Sequence, residues 1–133
     1  MGGGFVKVEK ISSIRTLPPI LEKEINQYKS QEYYDSFIYK DDLYLVASLG
    51  IKHTLGYDIS IINLKEIDTG KWEVFMDKTE PGKGQILAQA ISTPITIAKI
   101  IIMTKGKNTP KEIVFKDKKG HIIKGVKVKI KES

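Results

Sequence analysis

After residue 35 the chain shows no helical periodicity. It is a succession of short runs rich in β-branched and aromatic residues, at 36–39, 43–49, 57–64, 71–78, 95–103, 112–116 and 121–131. Such runs read as strands. Asp41-Asp42, Asp68-Thr69-Gly70 and Asp117-Lys118-Lys119-Gly120 stand between them, each a turn-forming cluster short enough to close a hairpin. Residues 5–11 alternate apolar and charged side chains and add one more half-buried strand. The one good helical pattern follows Leu17-Pro18-Pro19, where Leu21, Ile25 and Tyr28 recur at helical spacing and Glu22, Lys23, Glu24 and Lys29 are left for the wet face. The expected fold is α+β and mainly β. It is an antiparallel sandwich or partly closed barrel, with a helix over 18–30 covering one opening.

If the strands from residue 43 onward alternate in direction, the short turns at 68–70, near Ser92-Thr93 and at 117–120 share one end of the sheet. The longer loops 50–56, 80–85 and 104–110 then share the other. Loops grouped on a rigid sheet edge are a common place for recognition. A single crossover connection breaks this parity.

The chain has 133 residues, 41% of them apolar and 29% charged, which suits one domain over 1–133 with its own core. Residues 1–4 are expected to be disordered or a cloning remnant, and 35–131 to form the β-rich body. The longest apolar stretch, 95–103, is interrupted by Thr96 and Lys99 and is too short for a membrane span. Without cysteine there is no disulfide, thiolate metal site or cysteine nucleophile in this stretch of chain. The start has neither the basic nor the long apolar region of a signal peptide.

The +6 net charge is unevenly placed: residues 105–133 hold ten lysines against Glu112, Asp117 and Glu132, a net +7, whereas the first 104 residues hold 12 basic and 13 acidic side chains. Clustered lysines could bind nucleic acid or another anionic surface by counterion release. However, Val126, Val128 and Ile130 alternate with Lys127, Lys129 and Lys131 as in an edge strand, and the segment has no arginine. Nucleic acid is the less favoured partner.

Catalytic arrangements are poorly supplied. There is no Gly-x-Ser-x-Gly, and the two histidines, His53 and His121, lie far apart without a second ligand at short spacing. An enzyme would need a deep pocket uniting one of them with a carboxylate. Gly82-Lys83-Gly84 lacks the upstream glycine and following Ser or Thr of a phosphate loop and reads as a β-turn after Pro81. No cofactor or metal is expected. Trp72 shares a strand face with Val74 and Met76 and reads as core, and Tyr33-Tyr34 reads as a bridge between helix and sheet.

The most informative stretch is Leu49-Gly50-Ile51-Lys52-His53-Thr54-Leu55-Gly56-Tyr57-Asp58-Ile59-Ser60-Ile61. A strand ends at Gly50, a loop carries Thr54 and Gly56, and Tyr57 opens the next strand. With Pro81, Gly84, Gln89-Ala90 and Pro94 at the head of the 95–102 strand, it resembles the C-terminal domain family of the protease complex subunit PrcB. The resemblance covers about 43–102, with Leu55 where a second glycine is usual and Ile95 where the family tends to an aromatic. A fainter similarity runs to chagasin-type cysteine-protease inhibitors.

The resemblance implies a non-catalytic accessory or inhibitor-like partner of a bacterial protease complex that binds protein or peptide through the three-loop edge. Lys52, His53, Thr54, Leu55, Gly56 and Tyr57 are the candidate contact loop, flanked by Pro81, Gly82, Lys83 and Gly84. It also implies a cell-envelope or extracellular setting if a leader has been removed, whereas a native Met1 implies the cytoplasm. The oligomeric state is left open.

Overall fold

The computed structural model describes residues 6–82, 84, 89–102 and 109–132. Residues 1–4, Phe5, Lys83, Gln85, Met103 and 104–108, which figure in the expectations above, lie outside the described residues. In chain order the elements are β1 (Val6–Lys10), a 3-10 turn at Ile14–Thr16, α1 (Pro19–Tyr28), β2 (Glu32–Tyr39), β3 (Asp42–Leu49), β4 (Lys52–Thr54), β5 (Asp58–Asp68), β6 (Lys71–Thr79), β7 (Gln89–Ser92), β8 (Ile95–Ile102), β9 (Glu112–Asp117), β10 (Ile122–Lys127) and β11 (Lys129–Lys131). A five-stranded sheet ordered β1-β8-β3-β2-β11 faces a four-stranded sheet ordered β10-β9-β6-β5, and β4 and β7 pair separately. Both large sheets are open, so the sandwich is formed and the partly closed barrel is not.

Two cores divide the interior. Between the sheets lie Tyr34, Leu43, Leu45, Ala47, Ala98 and Ile100 from one side and Ile59, Trp72, Val74, Met76, Ile113 and Phe115 from the other. Trp72 does share its buried face with Val74 and Met76, as expected. On the outer face of the five-stranded sheet, Tyr33, Phe37, Tyr44, Val46 and Ile97 pack under Leu17, Leu21 and Ile25. The helix therefore covers a sheet face, not an opening. The physical reason lies in β3, whose residues 43–48 are all buried because both of its faces are apolar. Tyr33 stacks on Tyr28 of the helix at 5.3 Å, while Tyr34 turns the other way and meets Phe115 at 5.5 Å. Only the first of the two tyrosines bridges helix and sheet.

α1 is shorter at both ends than the expected 18–30. Pro19 sits in the first turn, and the Pro18 carbonyl accepts from the Leu21 and Glu22 N–H groups at 2.9 and 3.0 Å. Leu21 and Ile25 are fully buried, which contributes roughly 1.5–3 kcal/mol each. A second attachment is ionic. Lys129 Nζ lies 2.6 Å from Glu24 and 2.8 Å from Asp35, Lys131 Nζ lies 2.5 Å from the other oxygen of Glu24, and the Tyr33 hydroxyl donates to Asp35 at 2.9 Å. These lysines belong to β11, so the chain's C-terminal strand holds the helix down.

That arrangement revises the expected single strand over 121–131. The chain leaves the four-stranded sheet at Val128, whose N–H donates to the Lys111 carbonyl at 2.9 Å, and joins the other sheet parallel to β2. The alternation inverts at the switch. Val126 and Val128 pack toward the inter-sheet core, but Ile130 is 74% exposed while Lys131 is half-buried.

The loop parity also needs correction, because β6 and β9 pair parallel, Lys71 opposite Glu112, and a crossover therefore separates them. The Lys111 N–H donates to the Gly70 carbonyl at 2.6 Å, so β9 begins at the same end as the 68–70 turn. Ser92-Thr93 moves the opposite way. The Leu49 N–H reaches the Pro94 carbonyl at 2.9 Å, which places that turn beside the 50–56 loop. The expected three-loop edge is thus two loops and a short extra strand. Among the described residues no helix is long and apolar enough to cross a membrane.

Two outcomes follow for stability. β2 and β3 are joined by a two-residue turn in which Lys40 (φ 50°) and Asp41 (φ 70°) both occupy left-handed conformations. Asn-Gly is preferred there, so Lys40→Asn with Asp41→Gly should raise stability by about 1 kcal/mol, read as a higher urea midpoint with unchanged slope. Burial would raise the Glu24 pKa, but the hydrogen bonds from Lys129 and Lys131 hold it below the usual 4.5. A depressed carboxylate stabilises the fold above the unfolded-state value, and that contribution disappears as pH falls through the lower folded value. Glu24→Gln should therefore cost roughly 1–2 kcal/mol at neutral pH and flatten the decline in urea midpoint below pH 4.5.

Candidate functional site

The structure brings the two candidate segments together at one end of the sandwich. Gly56, at φ 104°, lies where an added Cβ would sit 3.3 Å from the Cβ and Cγ of Pro81, so the 50–57 and 80–84 segments touch through a residue that must lack a side chain. Gly50 anchors the entry to the first segment. Its φ is 81°, and an added Cβ would meet the Gln31 carbonyl carbon at 3.0 Å and the Glu32 nitrogen at 3.1 Å. Ser48 completes the anchor, its hydroxyl donating to the Lys29 carbonyl at 2.7 Å and accepting from the Gly50 N–H at 3.1 Å.

Residues 52–54, expected as loop, form β4 and pair antiparallel with β7, Lys52 opposite Ser92 and Thr54 opposite Gln89. This strand pair has two unlike faces. Lys52, Thr54, Ala90 and Ser92 are half-buried, whereas Ile51, His53, Leu55, Gln89 and Ile91 are exposed. The outward side therefore carries three aliphatic side chains, Ile51 at 43%, Leu55 at 48% and Ile91 at 75% exposure, around His53. On the inward side Lys52 lies 4.8 Å from the centre of the Tyr57 ring, a cation-π contact that ties the start of β4 to the head of β5.

Of the candidate residues, His53 and Leu55 point outward, while Lys52, Thr54, Tyr57 and Pro81 are half-buried and support the segment. Gly56, Gly82 and Gly84 are exposed main chain, and Gly84 at φ 79° has open space around it. Lys83 lies outside the described residues. Ile91 was missed by the sequence reading. Its signal is the short Gln89-Ala90-Ile91-Ser92 alternation, four residues long and easily read as part of a loop.

His121 has found a carboxylate, but in a turn. Its Nδ1 lies 3.1 Å from Asp117 Oδ2, its side chain is 76% exposed, and Asp117 Oδ1 accepts from the Lys119 and His121 N–H groups at 2.9 Å each. Those backbone donors, the His121 N–H first, hold the Asp117 pKa below its usual value. Asp117 thus serves the turn that joins β9 to β10. The C-terminal lysines are partly consumed in the same way. Lys116 pairs with Glu73, Lys118 with Asp77 at 3.5 Å, and Lys129 and Lys131 with Glu24.

Fold and site together define a mainly β, two-sheet protein that displays a small strand pair with an aliphatic outward face. Residues 43–100 match the family described as PrcB C-terminal, from the first residue of the two-faced core run to the last buried position of β8. The match covers the Thr54-x-Gly56-Tyr57, Pro81-x-x-Gly84 and Gln89-Ala90 motifs and both strands of the exposed pair. No curated protein and no solved structure matches the chain.

Replacing Gly56 tests the junction directly. Gly56→Ala should cost about 1–2 kcal/mol, because an L residue is strained at this φ and its methyl group crowds Pro81. Amide chemical-shift changes should spread across 52–57 and reach Gly82 while the sandwich strands keep theirs.

Proposed function

We propose that this protein is a non-catalytic protein- or peptide-binding domain, an accessory or inhibitor-like partner of a bacterial protease complex. The proposed contact surface is the outward face of the β4–β7 pair, with Ile51, His53, Leu55 and Ile91 at its centre and Pro81, Gly82 and Gly84 beside it. The observation that carries the reading is the concentration of exposed aliphatic side chains on a strand pair tied to the sandwich by the Lys52–Tyr57 and Gly56–Pro81 contacts. Aliphatic surface removed from water on binding gives about 25 cal/mol per Å². The PrcB C-terminal match supports association with a protease complex, since the family takes its description from such a subunit.

Cross-linking in cells of the source organism, followed by mass spectrometry, should recover a protease or its close companion joined through this end of the sandwich. On that purified partner, Ile91→Asp and Leu55→Asp should each weaken affinity by about tenfold or more, as expected for charge placed in an apolar contact. Both variants should keep the wild-type melting temperature. Unchanged affinity in both would remove this face from the reading.

A further inference from the structure

A different part of the molecule offers main chain to a partner. β11 pairs with β2 only along Phe37–Tyr39, so among the described residues the first half of β2 has a strand on one side only, β3. The two-residue turn between β2 and β3 sets which groups are open. In such hairpins the residues closing the turn, here Tyr39 and Asp42, exchange hydrogen bonds, and the bonded pairs then recur at every second residue. Tyr33, Asp35 and Phe37 therefore direct their N–H and C=O groups to β3, whereas Glu32, Tyr34 and Ser36 direct theirs outward. The Leu49 N–H, opposite Glu32, points away from β2 to Pro94 as this parity demands. Asp35 Oδ1 takes the Ser36 N–H at 2.9 Å. The N–H and C=O groups of Glu32 and Tyr34 are left facing a cleft.

The cleft, about 510 Å³, runs between this edge and β10 and is lined by Tyr28, Tyr33, Tyr34, Lys124, Val126 and Lys127 among others. Its lining includes side chains from both faces of β2, which happens when the strand's edge is the floor of the groove. The two walls differ. On the helix side Tyr28 and Tyr33 present stacked rings, and Asp35 and Lys129 are already paired with each other. On the β10 side Lys124 and Lys127 are exposed, and Glu32 is engaged by Tyr34 and Lys78.

We infer that this groove accepts an extended segment of a partner protein as an added strand on β2, with acidic side chains toward Lys124 and Lys127 and apolar ones toward the tyrosine pair. Strand addition draws its affinity from main-chain hydrogen bonds and its selectivity from the alternating pockets. The site is separate from the β4–β7 face.

The probe is a capped seven-residue peptide alternating glutamate and valine, titrated into the ¹⁵N-labelled protein. Saturable shifts are expected at 32–36 and 124–129, with a Kd on the order of 1 mM that weakens as salt is added. Two versions of the peptide, N-methylated at alternate residues in one register or the other, separate strand pairing from side-chain capture: one should lose binding and the other keep it. Glu32→Pro, which removes an outward N–H, should weaken binding by about tenfold, and Glu32→Ala, which keeps it, by no more than about threefold. Absence of saturable shifts, equal binding by both methylated peptides, shifts confined to the β4–β7 pair, or self-association in place of peptide uptake would each overturn the inference. Ile91→Asp should leave peptide binding unchanged, so this inference and the protease-partner reading fail independently.

Discussion

The fold depends on β3 being apolar on both faces. Leu43, Leu45 and Ala47 require one cover, and Tyr44 and Val46 require another. A single antiparallel sheet cannot satisfy that demand, because one of its sides would face water. The chain meets it with a second sheet on one side and α1 on the other. Much of the remaining architecture delivers those two layers from a short sequence. The N-terminal segment supplies the helix, and the C-terminal segment crosses from one sheet to the other at Val128 so that Lys129 and Lys131 can reach Glu24.

The crossing also explains the charge distribution. A net +7 in the last 29 residues looks like an anionic-ligand site when read as sequence. In the folded chain, four of those lysines are placed against Glu73, Asp77 and Glu24, acids contributed by the neutral body. Complementary charge between chain ends orders the C-terminal strand where its own apolar content is too small to do so. The cost of such partly exposed pairs is modest and their net contribution small singly, but Lys129 bridges Glu24 and Asp35 at once, which makes the cluster a specific register device for β11.

Much of the scaffold was legible because strand runs and turn clusters are local signals. Residues 43–49, 71–78 and 95–102 announce themselves by composition, and Asp68-Thr69-Gly70 and Asp117-Lys118-Lys119-Gly120 punctuate them. The topology was not legible for a physical reason. Periodicity records which side chains face inward but not which neighbour a strand selects, so the parallel pairing of β6 with β9 and the sheet switch at Val128 left no mark. The end that carries the candidate site was half legible. Thr54, Gly56, Tyr57 and Pro81 form a motif whose contact, Gly56 against Pro81, is real, yet β7 is too short to rise above a loop, and without it Ile91 has no face to belong to.

The edges of the two sheets show how the molecule separates surfaces that must stay single from those open to pairing. β5 carries register shifts around Ile62 and Ile67, and β1 exposes Lys7 and Lys10, devices that discourage an approaching strand. The first half of β2 has none of these. Its register with β3 is unbroken from Glu32 to Tyr39, and its openness is limited instead by the cleft walls. A wall excludes a broad sheet but admits a single extended chain, whereas a bulge or an edge lysine opposes both. The choice of a wall at this one edge is what distinguishes a groove built for one strand from a rim merely kept apart from its neighbours.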